Sequence, residues 1–128
     1  MSQENICGQE NLFLGLCAGG IVYVLPLPDV GQIVSKAPGD MPQIHLPGQK
    51  KHGGTVIFQD DLGLAALTAE RLIGIVQLPP ECQFEMPGEA RSLRGRWIAG
   101  VAFWKSEECL CYLLDCRHLR TRFLQEQI

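Results

Sequence analysis

Cys109–Leu119 reads CLCYLLDCRHL, and three of the chain's six cysteines and one of its three histidines fall within it. It reads either as a metal or thiol site, or as a strand that ends in a helix cap. Side chains alternate across a strand. Cys109, Cys111, Leu113 and Asp115 then share one side, and Leu110, Tyr112, Leu114 and Cys116 the other. Cys116 points away from the first two thiols. A tetrahedral site needs converging ligands, usually from turns spaced C-x2-4-C. A C-x-C in an apolar strand does not supply that, and Cys7, Cys17 and Cys82 are scattered. The thiols read as small hydrophobes in a core. Asp115 reads as an N-cap, since a carboxylate there accepts from the free N–H groups of the first turn. Cys116, Leu119, Phe123 and Ile128 follow at near-helical spacing, which predicts a short C-terminal helix. His118 falls in its first turn.

Working outward, short apolar stretches are punctuated by 14 glycines and 8 prolines, the texture of an all-β chain. Trp97–Trp104 (WIAGVAFW) is a strand, joined by a KSEE turn to the last one. Asn11–Cys17 and Ile21–Leu27 are strands flanking Ala18-Gly19-Gly20, a tight turn in which glycine supplies positive φ. Ile21, Tyr23 and Leu25 share one face of the second strand, Val22 and Val24 the other. Both faces are apolar, so this hairpin is expected to be covered on both sides. Pro26 cannot donate to a ladder and belongs at a strand end or sheet edge. Thr55–Asp60, the LAALTA segment and Leu72–Leu78 are further strands. Pro79–Glu89 reads as a loop in which Phe84 and Met86 pack down. Ser35–Gly54 carries three prolines and reads as a long loop without a strong element.

The 128 residues bound the chain to one domain, or to two very small subdomains. A hydrophobic fraction of 46% and a charged fraction of 20% fit a folded soluble protein. The net charge of −3 argues against a chain built to hold phosphate backbones. Residues 1–90 carry four Lys/Arg against ten Asp/Glu, a balance of −6; residues 91–128 carry seven against four, a balance of +3. The start MSQENICGQENLF is polar and acidic, unlike a secretory signal. No apolar run is long enough to span a bilayer, so no membrane insertion is expected. These features predict a cytoplasmic protein with reduced thiols.

No catalytic constellation is present: there is no G-x-S-x-G, no phosphate loop and no H-E-x-x-H. The sequence calls for no metal and no cofactor, and for no enzymatic activity. His45, Lys50, Lys51 and His52 read as solvated loop residues. Arg91, Arg94, Arg96 and Trp97 form the one compact basic-aromatic cluster. It is too small, on an acidic chain, to predict nucleic-acid binding, and suits a protein contact better. Two rival readings stay open. One is a small metal or thiol protein using Cys109, Cys111, Cys116 and His118. The other is a nucleic-acid-binding β-barrel using the arginine cluster.

Several segments, taken in order, resemble the CheW-like domain of bacterial chemotaxis adaptors. LGLCAGGIVYVLPLPDVGQIV is similar to that family's first hairpin and its V-x-E-I signature. Val30-Gly31-Gln32-Ile33 occupies the signature, with Gln32 in place of the acid. Gly63–Pro79 resembles the family's G-L-x-V-D-x-V-x-x-V-x-x-L-P stretch, with Glu70 near the usual Asp. Trp97–Leu119 resembles its ending: an I-x-G-V strand, a turn, an apolar strand, L-L-D and a terminal helix. The family's N-L-R-G-x-(I/V)-x-P strand-turn is missing, and Ser35–Gly54 takes its place. Ser92–Gly95 (SLRG) resembles that motif but comes too late in the order.

The resemblance implies a single domain over residues 1–128, built of two small interlocked five-stranded SH3-like β-barrels. With residues 35–54 replacing part of the family core, the first barrel is expected to be incomplete. Its exposed edge is expected to be covered by a second copy or by a partner. The resemblance also implies a non-enzymatic bacterial scaffold that joins chemoreceptors to a CheA-type histidine kinase. Val30, Gln32 and Ile33 are its candidate partner-binding residues, with Ile33 behind the other two.

Overall fold

A computed structural model of the chain describes residues 11–60, 62–85, 97–116 and 118–119. Two sheets carry the described residues. Strands β1 (Leu12–Ala18) and β2 (Ile21–Pro26) form the opening hairpin. Gly19 and Gly20 close it with φ of 60° and 79° between the paired Ala18 and Ile21. Positive φ at both central positions is what a two-residue hairpin turn requires, and glycine adopts it without a Cβ penalty. Pro26 ends β2, where its missing N–H interrupts no ladder.

A 3-10 turn at Leu27–Asp29 leads into β3 (Val30–Val34). The remaining strands are β4 (Gln43–His45), β5 (Gly54–Asp60), β6 (Gly63–Ala69), β7 (Arg71–Gln77), β8 (Gln83–Glu85), β9 (Ile98–Trp104) and β10 (Cys109–Leu114). The six-stranded sheet runs β7-β1-β2-β10-β9-β8, and the four-stranded sheet β3-β5-β6-β4. Pairing is antiparallel except for β10 on β2 and β4 on β6. The fold is all-β with two sheets.

The two sheets enclose two cores, and β2 belongs to both. Tyr23 and Leu25 lie in a core shared with Leu14, Leu16, Val56, Phe58 and Leu67, between the sheets. Val24 lies in the second core with Phe13, Val76, Cys111 and Leu113, on the other side of the six-stranded sheet. The two-sided burial expected from the apolar alternation of β2 is observed. A shared central strand interlocks the two halves, because neither core can open without uncovering one face of β2.

Strand β10 follows the expected alternation. Cys109, Cys111 and Leu113 face the second core. Leu114 and Cys116, expected on the opposite side, lie in the first core, and Leu119 joins them there. A register shift between Leu113 and Leu114 leaves one residue of β9, Ala99, unpaired between Ile98 and Gly100. Cys116, His118 and Leu119 are helical, the beginning of the expected C-terminal helix. The remainder of that segment, including Phe123 and Ile128, lies outside the described residues.

Residues 35–54 differ from the expected featureless loop. Gln43–His45 form β4, parallel to β6, and Ile44 and Leu46 are buried in the first core. Phe84, expected to pack down, is instead 61% exposed on β8. Its neighbour Met86 lies outside the described residues.

Candidate functional site

The candidate residues Val30, Gln32 and Ile33 lie on β3, at one edge of the four-stranded sheet. The strand is launched by Pro26 and Pro28, whose fixed φ suits the 3-10 turn, and the Val30 N–H donates to the Leu27 carbonyl. Val30 pairs with Phe58, and Gln32 with Ile57, across a register shift. Gly31 sits in the irregularity, where a Cβ would lie 3.1 Å from the Ile57 carbonyl oxygen. The consequence is a split of roles. Val30 is half-buried against the first core. Gln32 is exposed, and Ile33 is 52% exposed. Ile33 therefore does not lie behind the other two, as expected; Val30 does. The reason is the edge position: Ile33 pairs with buried Val56, but among the described residues no strand flanks it on the other side.

A carboxylate close to the hairpin turn was not singled out as a structural element by sequence reasoning. Glu70 joins β6 to β7, and its N–H donates to the Cys17 carbonyl. Its side chain accepts from the Gly19 N–H at 2.5 Å and the Lys50 N–H at 3.3 Å. These two backbone donors, with smaller help from Lys51 and Lys50, hold the carboxyl below its ordinary value. Glu70 thus ties the β1–β2 turn and the 46–53 segment to one junction. Gly53 completes it: a Cβ there would lie 1.6 Å from the Glu70 carbonyl oxygen, so only glycine fits. The sequence signal was Glu70 near the family's usual acid.

The outer side of the four-stranded sheet carries a polar cluster. Thr55 and Thr68 are buried. Thr68 Oγ1 pairs with His45 Nδ1 at 2.5 Å and lies 3.2 Å from Gln49 Oε1. His52 Nε2 lies 3.3 Å from Thr55 Oγ1 and donates to the Ser35 carbonyl at 2.8 Å. The histidines read as solvated loop residues are thus the partners that satisfy two buried hydroxyls.

The cysteine reading is settled by burial. Cys111 is fully buried in the second core, and burial, with Cys109 beside it, pushes its thiol up to about 12. A thiol so far from ionisation is a poor nucleophile at neutral pH. Cys116 lies in the other core. His118 Nδ1 instead meets Asp115 Oδ2 at 3.0 Å. No cluster of three metal-ligating side chains occurs among the described residues.

Trp97 is buried, with its ring centroid 5.9 Å from that of Tyr23, so it belongs to the first core and not to a basic surface. Arg91, Arg94 and Arg96 lie outside the described residues. No helix among the described residues is long and apolar enough to cross a membrane.

No family model matches the chain, and no curated protein matches it in sequence. Its similarity is to solved structures. One is the crystal structure of the scaffolding protein TtCheW from Thermoanaerobacter tengcongensis. It matches with a TM-score of 0.69 at 13% sequence identity, over 86% of this chain and 87% of that one. Two sheets around two cores, joined by shared strands and matched over most of both chains, give this protein a CheW-like fold of SH3-like subdomains.

Proposed function

We propose that this chain is a non-enzymatic adaptor of the CheW-like kind, acting in the bacterial cytoplasm. It links chemoreceptor-like proteins to a CheA-type histidine kinase through protein–protein contacts, as a single domain over residues 1–128. The observation that carries this reading is the fold shared with a scaffolding protein over 86% of the chain. The position of β3 supports it. Gln32 and Ile33 stand exposed on a sheet edge that is unpaired among the described residues, while Val30 anchors the strand to the core. An edge of this kind offers backbone donors and acceptors to an incoming segment, with Ile33 as an apolar contact.

The test is calorimetric titration of the chain with the regulatory domain of a CheA-type kinase from the same organism. The expected result is saturable binding, micromolar or tighter, weakened at least tenfold by Ile33→Asp and by Gln32→Ala. Ile33 is half exposed, so the first change should leave stability within about 0.5 kcal/mol. A folded protein that does not bind, or that binds equally well after both substitutions, refutes the assignment of the contact to β3.

A further inference from the structure

A second surface, away from β3, is formed by one face of the six-stranded sheet. Over β1 and β2 this face is covered by the four-stranded sheet, through the first core. Beyond β2 it continues across β10, β9 and β8. Phe103 and Leu110 stand directly opposite each other there, and one step along the register of β10 on β2 places Ile21 beside Leu110. In the next row, Tyr112 pairs with Tyr23 on one side and Val101 on the other, and Val101 pairs with Phe84. Paired residues and their i±2 neighbours share a face, so both rows look the same way.

The rows are apolar throughout, yet much of them is open. Leu110 is 64% and Phe84 61% exposed; Phe103, Tyr112 and Ile21 lie between 37% and 38%. Aromatic side chains present roughly 150–250 Å² each, so this face leaves on the order of 400 Å² of apolar surface in water. That is the size of the largest apolar patch on a typical monomer, and such a patch is often functional.

We infer that this face is the contact through which two copies of the chain associate. Three observations select a second copy. First, no charged side chain lies in either row, so copies meeting about a two-fold axis bring no like charges together. Second, the 105–108 turn bordering the face carries both signs, Lys105 with Glu107 and Glu108, and favours neither a strongly acidic nor a strongly basic partner. Third, the area is that of a weak contact: face-to-face pairing buries about 800 Å² of apolar surface before the rim is counted. Specific interfaces begin near 1,000 Å² in total, so the dimer is a weak and reversible one. Sheet-on-sheet stacking is also how the covered half of this same face is already packed. This surface is separate from the β3 edge, and the inference does not depend on the adaptor reading.

The experiment is sedimentation equilibrium of the full chain from about 1 µM to about 1 mM. It is run on the parent and on Leu110→Glu, Phe103→Glu and Ile75→Glu. Ile75 is 66% exposed on β7, at the opposite edge of the sheet, and serves as control. Near-UV circular dichroism checks that each variant is folded, and Phe84→Ser replaces any that is not. The expected result is a monomer–dimer equilibrium that Leu110→Glu and Phe103→Glu each weaken at least tenfold and Ile75→Glu changes less than twofold. A chain that stays monomeric throughout overturns the inference. So does a dimer that Ile75→Glu weakens as much as Leu110→Glu. Kinase binding is read separately by calorimetry, so failure of one proposal leaves the other standing.

Discussion

Neighbouring residues of β2 point into different cores, and this makes a sharp prediction about cooperativity. Leu25 and Val24 are both fully buried, Leu25 in the first core and Val24 in the second. Leu25→Ala removes a packed side chain at a cost of about 3 kcal/mol, and Val24→Ala, with fewer methyls lost, about 2 kcal/mol. At about 2.1 cal/mol/K per residue, the unfolding entropy of a chain this size is roughly 0.27 kcal/mol/K. The expected drops in Tm are therefore about 11 °C for Leu25→Ala and about 7 °C for Val24→Ala. The two tryptophans report on the halves separately, because Trp97 lies in the first core and Trp104 packs against the second. Fluorescence of the Trp104→Phe background follows the first core, and that of Trp97→Phe the second. Each core substitution should move both reporters by the same amount, since β2 cannot leave one core and stay in the other. If Leu25→Ala shifts the Trp97 transition while the Trp104 transition stays put, the two halves unfold independently and the shared-strand argument is wrong.

Three further outcomes follow from single sites. Glu70 is held below its ordinary carboxyl value of 4.5 by the Gly19 and Lys50 amides. Its contribution to stability is therefore complete above about that pH and is lost as pH falls through the lower folded value. In urea titrations, Glu70→Gln should have a lower midpoint than the parent at neutral pH, and the gap should close on acidification; a gap that widens contradicts the assignment. Gly100→Ala puts a Cβ 2.4 Å from the Phe84 carbonyl oxygen, so β8 should detach from β9 at a cost of roughly 1–3 kcal/mol. Amide exchange should then rise at residues 83–85 and stay slow in β1 and β2. Cys111 should resist iodoacetamide at pH 8.5 in the native state and react only on unfolding, and mass-spectrometric mapping of the labelled thiols reads this directly.

The glycine hairpin, the two-faced β2 and the strand pair before Asp115 were legible in the sequence because each rests on local chemistry. Positive φ at Gly19 and Gly20, and apolar alternation along Ile21–Leu25, need no knowledge of partners. Alternation also grouped Cys111 apart from Cys116, which is why the thiols did not read as a ligand set. The exposure of β3 was not legible. Val30 and Ile33 are both β-branched and apolar, and only the sheet order, which leaves β3 at an edge, separates the anchored residue from the exposed one.

The sequence by itself determined most of the longer strands and which of their residues share a face, because backbone sterics and side-chain alternation act over a few residues. Tertiary structure alone decided which faces are covered. β4 is three residues long and exists because β6 offers it a parallel edge, with Ile44 and Leu46 filling the first core. Glu70 matters because the chain brings Gly19 and Lys50 to it from far along the sequence. Leu110 and Leu114 share a side of an ideal strand, yet one is exposed and the other buried. The reach of the second sheet separates them, since the first core covers Leu114 and stops short of Leu110. Burial depends on what the rest of the chain places opposite a residue, and no local pattern carries that information.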